Sequence, residues 1–562
     1  MSETGGGKIG GAVLVAAVVV ACALLSIGLS GHQSGAANNL FHLPILARLY
    51  DEPQFAGDAF IQSLRQYASG FWLVLRGVAE GQAALTLLLV LQILSRTLFF
   101  VGALAMATPL GLETRRQQLV FLLFVALAAP LQGTAPAGNG GLFIQAFTHS
   151  EVANATALFA LALAARDRFG WAAVAVGLTF FINAFVAVWL VAPLGLLVLL
   201  ALRAGRSSIA ALALQLVWGG ALAALLALPV VLNVAHNSGL GSGLPVDYRS
   251  FLDDYWPYHF LVWSLSWREL FKFAATLAVG VAAAWCLPRA ARTAVLAMLL
   301  GFLAVWVAGT VLPFVTGSQG LLNLHLLRSS AMIVIVAVLA LAALAARLVL
   351  SEPPADRYVW GPGLLASFAI KAPLLPIALP LLLLRRVWSP PPLLSRPLVA
   401  GAVFAAVGAA ALVTGYQAAR ADRLFRAHQA DWLRVADWAA GHTPPTAVFL
   451  LPQEQINPRS SLPVPPADQG GIHLGVEEFV SFAHRVSWVG SKEGAAVMWS
   501  PGYYREWWPR INAALRLQNL DQRLAYARTN GISYVVDTCE QHGALVPVHR
   551  SGPLCVYSAR PS

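Results

Sequence analysis

Charge is what this chain has least of. Only 11% of its 562 residues are charged, and lysine is nearly missing, with four (Lys8, Lys272, Lys371, Lys492) among 37 basic residues. Cysteine is as sparse: there are four, and no pair has CxxC spacing, which removes zinc-binding and thioredoxin-like readings. No HExxH, GxSxG or SxxK run stands where it could act. The Gly5-Gly6-Gly7-Lys8 start lacks the following Ser or Thr and any preceding strand of a phosphate loop, and Gly239-Leu-Gly241-Ser-Gly243 lacks the strand-to-helix context of dinucleotide binding. The net charge of +11 comes from arginines in short clusters between apolar runs, as membrane topology requires, so nucleic-acid binding is discounted.

What is present is apolar sequence. With 58% hydrophobic residues and a mean hydropathy of +0.67, the chain reads as an α-helical polytopic membrane protein. Arginine in place of lysine, with Ala and Leu filling the apolar runs, reads as a GC-rich bacterial sequence. The length of the segment 10–29 and its lack of a clear small-residue cleavage site favour a retained first span over a signal peptide. Further spans are expected over 84–109, 119–135, 152–165, 209–228, 271–287, 293–311 and 332–350. The run 171–202 is too long for one short span and carries basic residues at both ends, which predicts two short helices turning near Asn183. The stretch 359–384 is read as a hairpin with Lys371 at its tip, where a cation avoids lipid. A last span over 398–416 gives about thirteen crossings, or about twelve if 359–384 crosses once. On the hairpin reading the tail is periplasmic; independently of it, the order of the earlier spans puts Arg268 and Lys272 outside, against the positive-inside rule.

Composition divides the chain into a transmembrane domain, 1–416, and a C-terminal domain, 417–562, where strand-like pieces such as 446–451 and 532–536 alternate with helical stretches at 427–440 and 511–528, an α/β pattern. Its Pro-rich loop 452–466 reads as mobile. If the tail is oxidised, Cys539 is placed to pair with Cys555.

The loop 30–71 is the first long polar connection and holds Asp51, Glu52 and Asp58 with Arg48 and Arg65. After Asp58, Phe60, Ile61, Leu64, Ala68 and Phe71 share one helical face, which predicts a short amphipathic helix along the membrane surface with Asp58 at its start. Asp58 is then either an N-cap or a catalytic carboxylate at the water–lipid boundary. Two further outward loops carry His149 with Glu151, and His325 with Arg328. Carboxylates and a cation at one membrane face suit chemistry on a lipid-linked phosphate, although solvated loop charge explains any one of them equally well. Arg328 precedes a span starting at Ser329-Ser330, where the helix dipole repels cations. Such a cation implies an anion nearby: Asp253 or Asp254 of the aromatic, acidic loop 233–260, or a lipid phosphate.

A first span, a long outer loop with Gly-Asp before a surface helix, paired short helices, and a tail opening Trp432-Leu-Arg-Val-Ala-Asp-Trp438 then Thr443-Pro-Pro-Thr-Ala-Val448 resemble the membrane-embedded GT-C glycosyltransferases. Arg485, Lys492, Trp499 and Glu506-Trp-Trp-Pro-Arg510 are similar to a bacterial multi-pass family grouped with that superfamily. The resemblance implies a polyprenyl-phosphate-linked sugar donor and an acidic residue of the first outer loop at the catalytic centre. The matching position is Asp58, with Asp51 and Glu52 as lesser candidates. Arg328 and His325 would hold the donor phosphate. Asp51 and Glu52 are adjacent rather than separated by one residue, so a divalent metal ion stays an open question, with Asp58, His149 and Glu151 its candidate ligands.

The expected function is sugar transfer to an envelope glycan, lipid or protein at the outer face of a bacterial inner membrane. Asp58 would act as base; because N-caps lower carboxylate pKa values, it would serve only if proton transfer comes late. The rival is a non-enzymatic membrane protein, such as a transporter of lipid-linked saccharides or an envelope assembly subunit. It is weakened by the lack of internal repeats and by few charges inside spans.

Overall fold

A computed structural model describes residues 6–237, 240, 243–371, 374–454, 460–465, 471–539 and 545–559. The protein is an α-helical polytopic membrane protein with a small C-terminal α/β domain. Among the described residues, eight helices are long and apolar enough to cross a membrane. The twelve to thirteen crossings expected would need shorter helices as well. One of those, Arg115–Ala126, has 12 residues and gives way to turns and coil before residue 135, so the expected 119–135 span is only half helical.

The helix Ser330–Val349 forms the centre of the membrane part. Its sequence is apolar on every face, so it has no side suited to water, and all but one or two of its side chains are buried by neighbouring helices. Frequent alanines let those neighbours approach closely. Trp267–Cys286 and Arg289–Val315 pack on it, and Ala337 lies against Gly280 where a Cβ would clash.

The 171–202 run breaks where expected. Asn183 ends the helix Phe169–Ile182 in extended conformation, and its Oδ1 accepts the Phe185 N–H to cap Ala184–Trp189. Near the hairpin, Gly361–Ala369 and Ala378–Val387 are separate helices packed on one another, with exposed Lys371 at the break. Ala372 and Pro373 lie outside the described residues, as do residues 455–459 and 466 of the Pro-rich loop and much of the Gly239–Gly243 stretch.

The last span does not end near Tyr416. One helix, Pro397–His442, runs 46 residues, about 69 Å at 1.5 Å per residue. Its first half is apolar and largely exposed, and its second half enters the C-terminal domain, with Trp432, Val435, Ala436 and Ala439 buried. The 416/417 composition boundary therefore falls inside a continuous helix.

Beside it stands a five-stranded sheet: β1 (Val448–Leu450), β2 (Val486–Ser487), β3 (Tyr534–Thr538), β4 (His549–Ser551) and β5 (Leu554–Ser558), in the order β2-β1-β3-β5-β4. β1 is parallel to β2 and β3, and β5 is antiparallel to β3 and β4. The Cys539–Cys555 disulfide joins the end of β3 to β5. The helical stretch expected at 511–528 is two helices, Tyr504–Leu515 and Leu520–Thr529, because Asn519 caps the second.

The first loop and this domain share one apolar core. Phe55, Phe60, Leu64 and Trp72 of the loop belong to the same buried cluster as Trp432, Phe449 and Trp507. Burying each such side chain contributes roughly 1.5–3 kcal/mol. The amphipathic helix after Asp58 is thus corrected in its environment. Its apolar face does not lie along a membrane surface but packs under the C-terminal domain, where the Phe60 and Tyr503 rings are 6.3 Å apart.

Candidate functional site

Two polar clusters lie where the first loop, the helix ends and the C-terminal domain meet. The first is built on Asp58, the N-cap of the helix Ala59–Ser63; its Oδ1 accepts the Ile61 N–H at 3.0 Å. The tail brings Glu493, Tyr503, Glu506 and Arg510 near it, with Tyr503 donating its hydroxyl to Glu493 Oε2 at 3.1 Å and Arg510 paired to Glu506 at 2.6 Å. Burial pushes the Asp58 carboxyl up to about 6, against the Ile61 N–H bond and with help from Glu506. The expectation that capping lowers it is corrected: desolvation outweighs one backbone hydrogen bond. Glu493 is pushed up to about 8, by burial first and by Asp58 second. At neutral pH the pair therefore carries one ionised and one protonated carboxyl, an arrangement in which one group can take a proton and its neighbour can donate a hydrogen bond.

The second cluster surrounds Arg328. His42 stacks on Trp72 with ring centroids 4.0 Å apart, and Trp72 Nε1 donates to His149 Nδ1 at 3.0 Å. Asn183 Nδ2 donates to Ser150 Oγ at 3.0 Å, so the break between two helices delivers a side chain here. Asn183, Ser150, Asn154 and Arg328 line one small cavity. Among the described residues Arg328 has no ion pair, and its Nε has no hydrogen-bond partner. The bridge to Asp253 or Asp254 is not formed; Asp253 accepts from Trp263 Nε1 and Asp254 from the Ser461 N–H. His42 is fully buried, and with Asn39 Nδ2 placed to donate to its Nδ1, its Nε2 is left as a donor with no partner. Burial, with His149 and Lys492 nearby, holds the His42 ring well below the usual histidine range. Of these two buried donors without acceptors, Arg328 Nε belongs to a residue lining that small cavity, which favours an acceptor-rich, anionic group there.

The clusters share no hydrogen bond or ion pair between Asp58 and Arg328. They are joined by an aromatic wall: Trp499 Nε1 donates to Ser63 Oγ at 3.1 Å, and its ring lies 5.3 Å from Tyr67 and 5.8 Å from Phe41. Tyr67 in turn lies 6.0 Å from His149.

The remaining sequence candidates have other surroundings. Asp51 bridges Arg48 and Arg65 at 2.6 and 2.8 Å. Glu52 pairs with His484 at 2.9 Å, a second tie between loop and tail. His325 sits between Phe185 and Phe260, 4.4 Å from each, and its carbonyl accepts the Arg328 N–H, so it shapes the turn that presents Arg328. Glu151 lies within a helix rather than an outer turn and is committed to Arg96 at 2.9 Å, both fully or nearly buried. Asp58, His149 and Glu151 therefore face three different sets of partners. Among the described residues no three His, Cys, Asp or Glu side chains form a group able to hold a metal ion.

Sequence reasoning missed His42, Tyr67, Trp72, Arg96 and Glu493. His42 and Arg96 offered a signal, being an ionisable residue in each of two otherwise apolar runs. The others gave none before tertiary contacts were known.

These features define a multi-pass membrane protein whose C-terminal domain covers a polar, partly occluded site on its first loop. No family model and no curated protein matches the chain. Among solved structures, it is similar to the cryo-EM structure of arabinofuranosyltransferase AftD from Mycobacteria, at 15% identity and a TM-score of 0.45. The match covers 98% of this chain and 40% of that protein, so the chain spans less than half of its length.

Proposed function

We propose that the protein is a GT-C-like glycosyltransferase that moves a sugar from a polyprenyl-phosphate-linked donor to an envelope glycan, lipid or protein at the outer face of a bacterial inner membrane. The observation that carries this reading is the unmet donor Arg328 Nε at the small cavity lined by Asn183, Ser150 and Asn154. A departing lipid phosphate supplies the acceptor it lacks and gains charge as the sugar leaves, so Arg328 acts mainly on the transition state. Asp58 takes the acceptor hydroxyl proton, the acceptor oxygen attacks the anomeric carbon, and the bond to phosphate breaks on the opposite side. With its carboxyl near 6, Asp58 is ionised at neutral pH yet basic enough to act. Donor and acceptor meet along the Trp499, Tyr67 and Phe41 wall.

The test is transfer from polyprenyl-phosphate sugars by the purified protein, with lipids that co-purify identified first by mass spectrometry. Asn caps helices about as well as Asp, so Asp58→Asn keeps the fold and is expected to lose on the order of 100-fold in rate. Retention of most activity moves the base elsewhere. Absence of transfer from any such donor by the wild type overturns the reading.

A second reading, a non-enzymatic transporter of lipid-linked saccharides or an envelope assembly subunit, is favoured by one observation. Arg96 and Glu151 form an ion pair inside packed helices, where ionisable residues often mark transport pathways. Movement of a lipid-linked saccharide across vesicles, abolished by Glu151→Gln without any sugar transfer, would support it.

A further inference from the structure

An open cleft of about 720 Å³ lies between the first loop and the end of the helix Ile209–Ala235, lined by none of the residues of the two clusters above. Arg48, Arg65 and Arg76 line one side, with Asn233, His236 and Leu232 on the other. Asp51 is shared between Arg48 and Arg65, whereas Arg76 has no acidic partner among the described residues and donates to the Arg65 carbonyl. Three guanidinium groups against one carboxylate leave an excess of two positive charges. Their mutual repulsion is relieved by an anion with several acceptor oxygens.

The opposite wall says what carries that anion. Ile209–Ala235 is the least covered of the eight long apolar helices, with 11% of its apolar window buried, so most of its surface is left for lipid. Leu232, which lines the cleft, is 46% exposed and Val231 next to it in sequence 47%, and Val74 and Val78 beside Arg76 are also exposed. Asn233 Nδ2 donates to the Tyr67 carbonyl at 3.3 Å, fixing the helix end against the loop. Charge at the mouth and exposed aliphatic side chains on the flank match a phosphate head group with its acyl chains.

We propose that this cleft binds the phosphate head group of an anionic lipid, with Arg65 and Arg76 on the phosphate and the chains along Val231 and Leu232. The site stands independently of sugar transfer.

Native mass spectrometry of the full chain in detergent tests it, with phosphatidylglycerol, phosphatidylcholine of equal chain length, and soluble glycerol phosphate as probes. The wild type is expected to retain phosphatidylglycerol over phosphatidylcholine, and the double variant Arg65→Gln/Arg76→Gln to lose that preference by about tenfold, the scale of charge-assisted contacts. Because Arg65 also bonds the Tyr50 carbonyl, His236→Glu provides a surface variant that adds a repelling charge without removing a tertiary contact, and the same loss is expected. Equal retention of both lipids by the wild type, or an unchanged preference in His236→Glu, overturns the proposal. Displacement of phosphatidylglycerol by an equal concentration of glycerol phosphate overturns the lipid assignment, since the chains would then add nothing.

Discussion

The indole N–H of Trp499 donates to Ser63 Oγ at 3.1 Å, joining residues 436 positions apart. Through it the C-terminal domain fixes the far end of the short helix that Asp58 begins, so the loop and the tail form one unit rather than a loop beneath an independent domain.

Trp499→Phe keeps an aromatic ring in the wall but removes this bond. A loss of about 1 kcal/mol is expected, the usual net worth of one hydrogen bond, and thermal unfolding of the detergent-solubilised protein reads it. An unchanged midpoint would mean that the two units do not unfold together.

Arg96 and Glu151 are buried and bonded twice along one guanidinium edge, Nε to one carboxylate oxygen and Nη2 to the other. Arg96→Met alone strands a carboxylate in the helix interior and is expected to cost roughly 3–5 kcal/mol, whereas Arg96→Met with Glu151→Met recovers most of it. Folded yield and thermal midpoints of the three proteins check this. A double variant as poor as the single one would show a role beyond mutual neutralisation.

Glu493 gives a pH dependence with a definite sign. Its carboxyl is raised from 4.5 to about 8 in the folded protein, so the unfolded chain releases the proton first. Stability therefore falls as pH rises from about 4.5 to 8, and Glu493→Gln, which stays neutral, flattens that fall. Melting at pH 5 and pH 8 measures it; equal pH slopes for wild type and variant refute the burial argument. For activity, Asp58 predicts transfer rising with pH through about 6 as the base ionises.

The Cys539–Cys555 bridge closes a short loop between β3 and β5. Denatured, non-reduced protein should show two free thiols, Cys22 and Cys286, and reduction should cost about 3 kcal/mol as for a loop of this length. Four thiols in protein purified from cells would refute the bridge and weaken the proposed periplasmic tail. Reporter fusions at Arg420 and Arg560, active only as periplasmic reporters, would support that side.

Composition determined the class of this protein, because apolar runs of 20 or more residues with so few charges have no stable place but a membrane or a core it shares. Local chemistry also set the break at Asn183 and the cap at Asp58, since both depend on a side chain and a backbone N–H two or three residues away. What lies around Asp58 was beyond local reasoning. Its surface helix has the periodicity of a membrane-lying helix, and only the tail's arrival, more than 400 residues later, decides that protein rather than lipid covers that face. The same arrival raises the Asp58 carboxyl where capping alone would lower it. Arg328 reversed in the other direction: sequence offered acidic partners, but Asp253 and Asp254 are held by other donors, which leaves the guanidinium facing His149 and an unfilled space. Pairing, burial and desolvation act over a few ångströms in space at any separation in sequence, so tertiary structure alone assigned them.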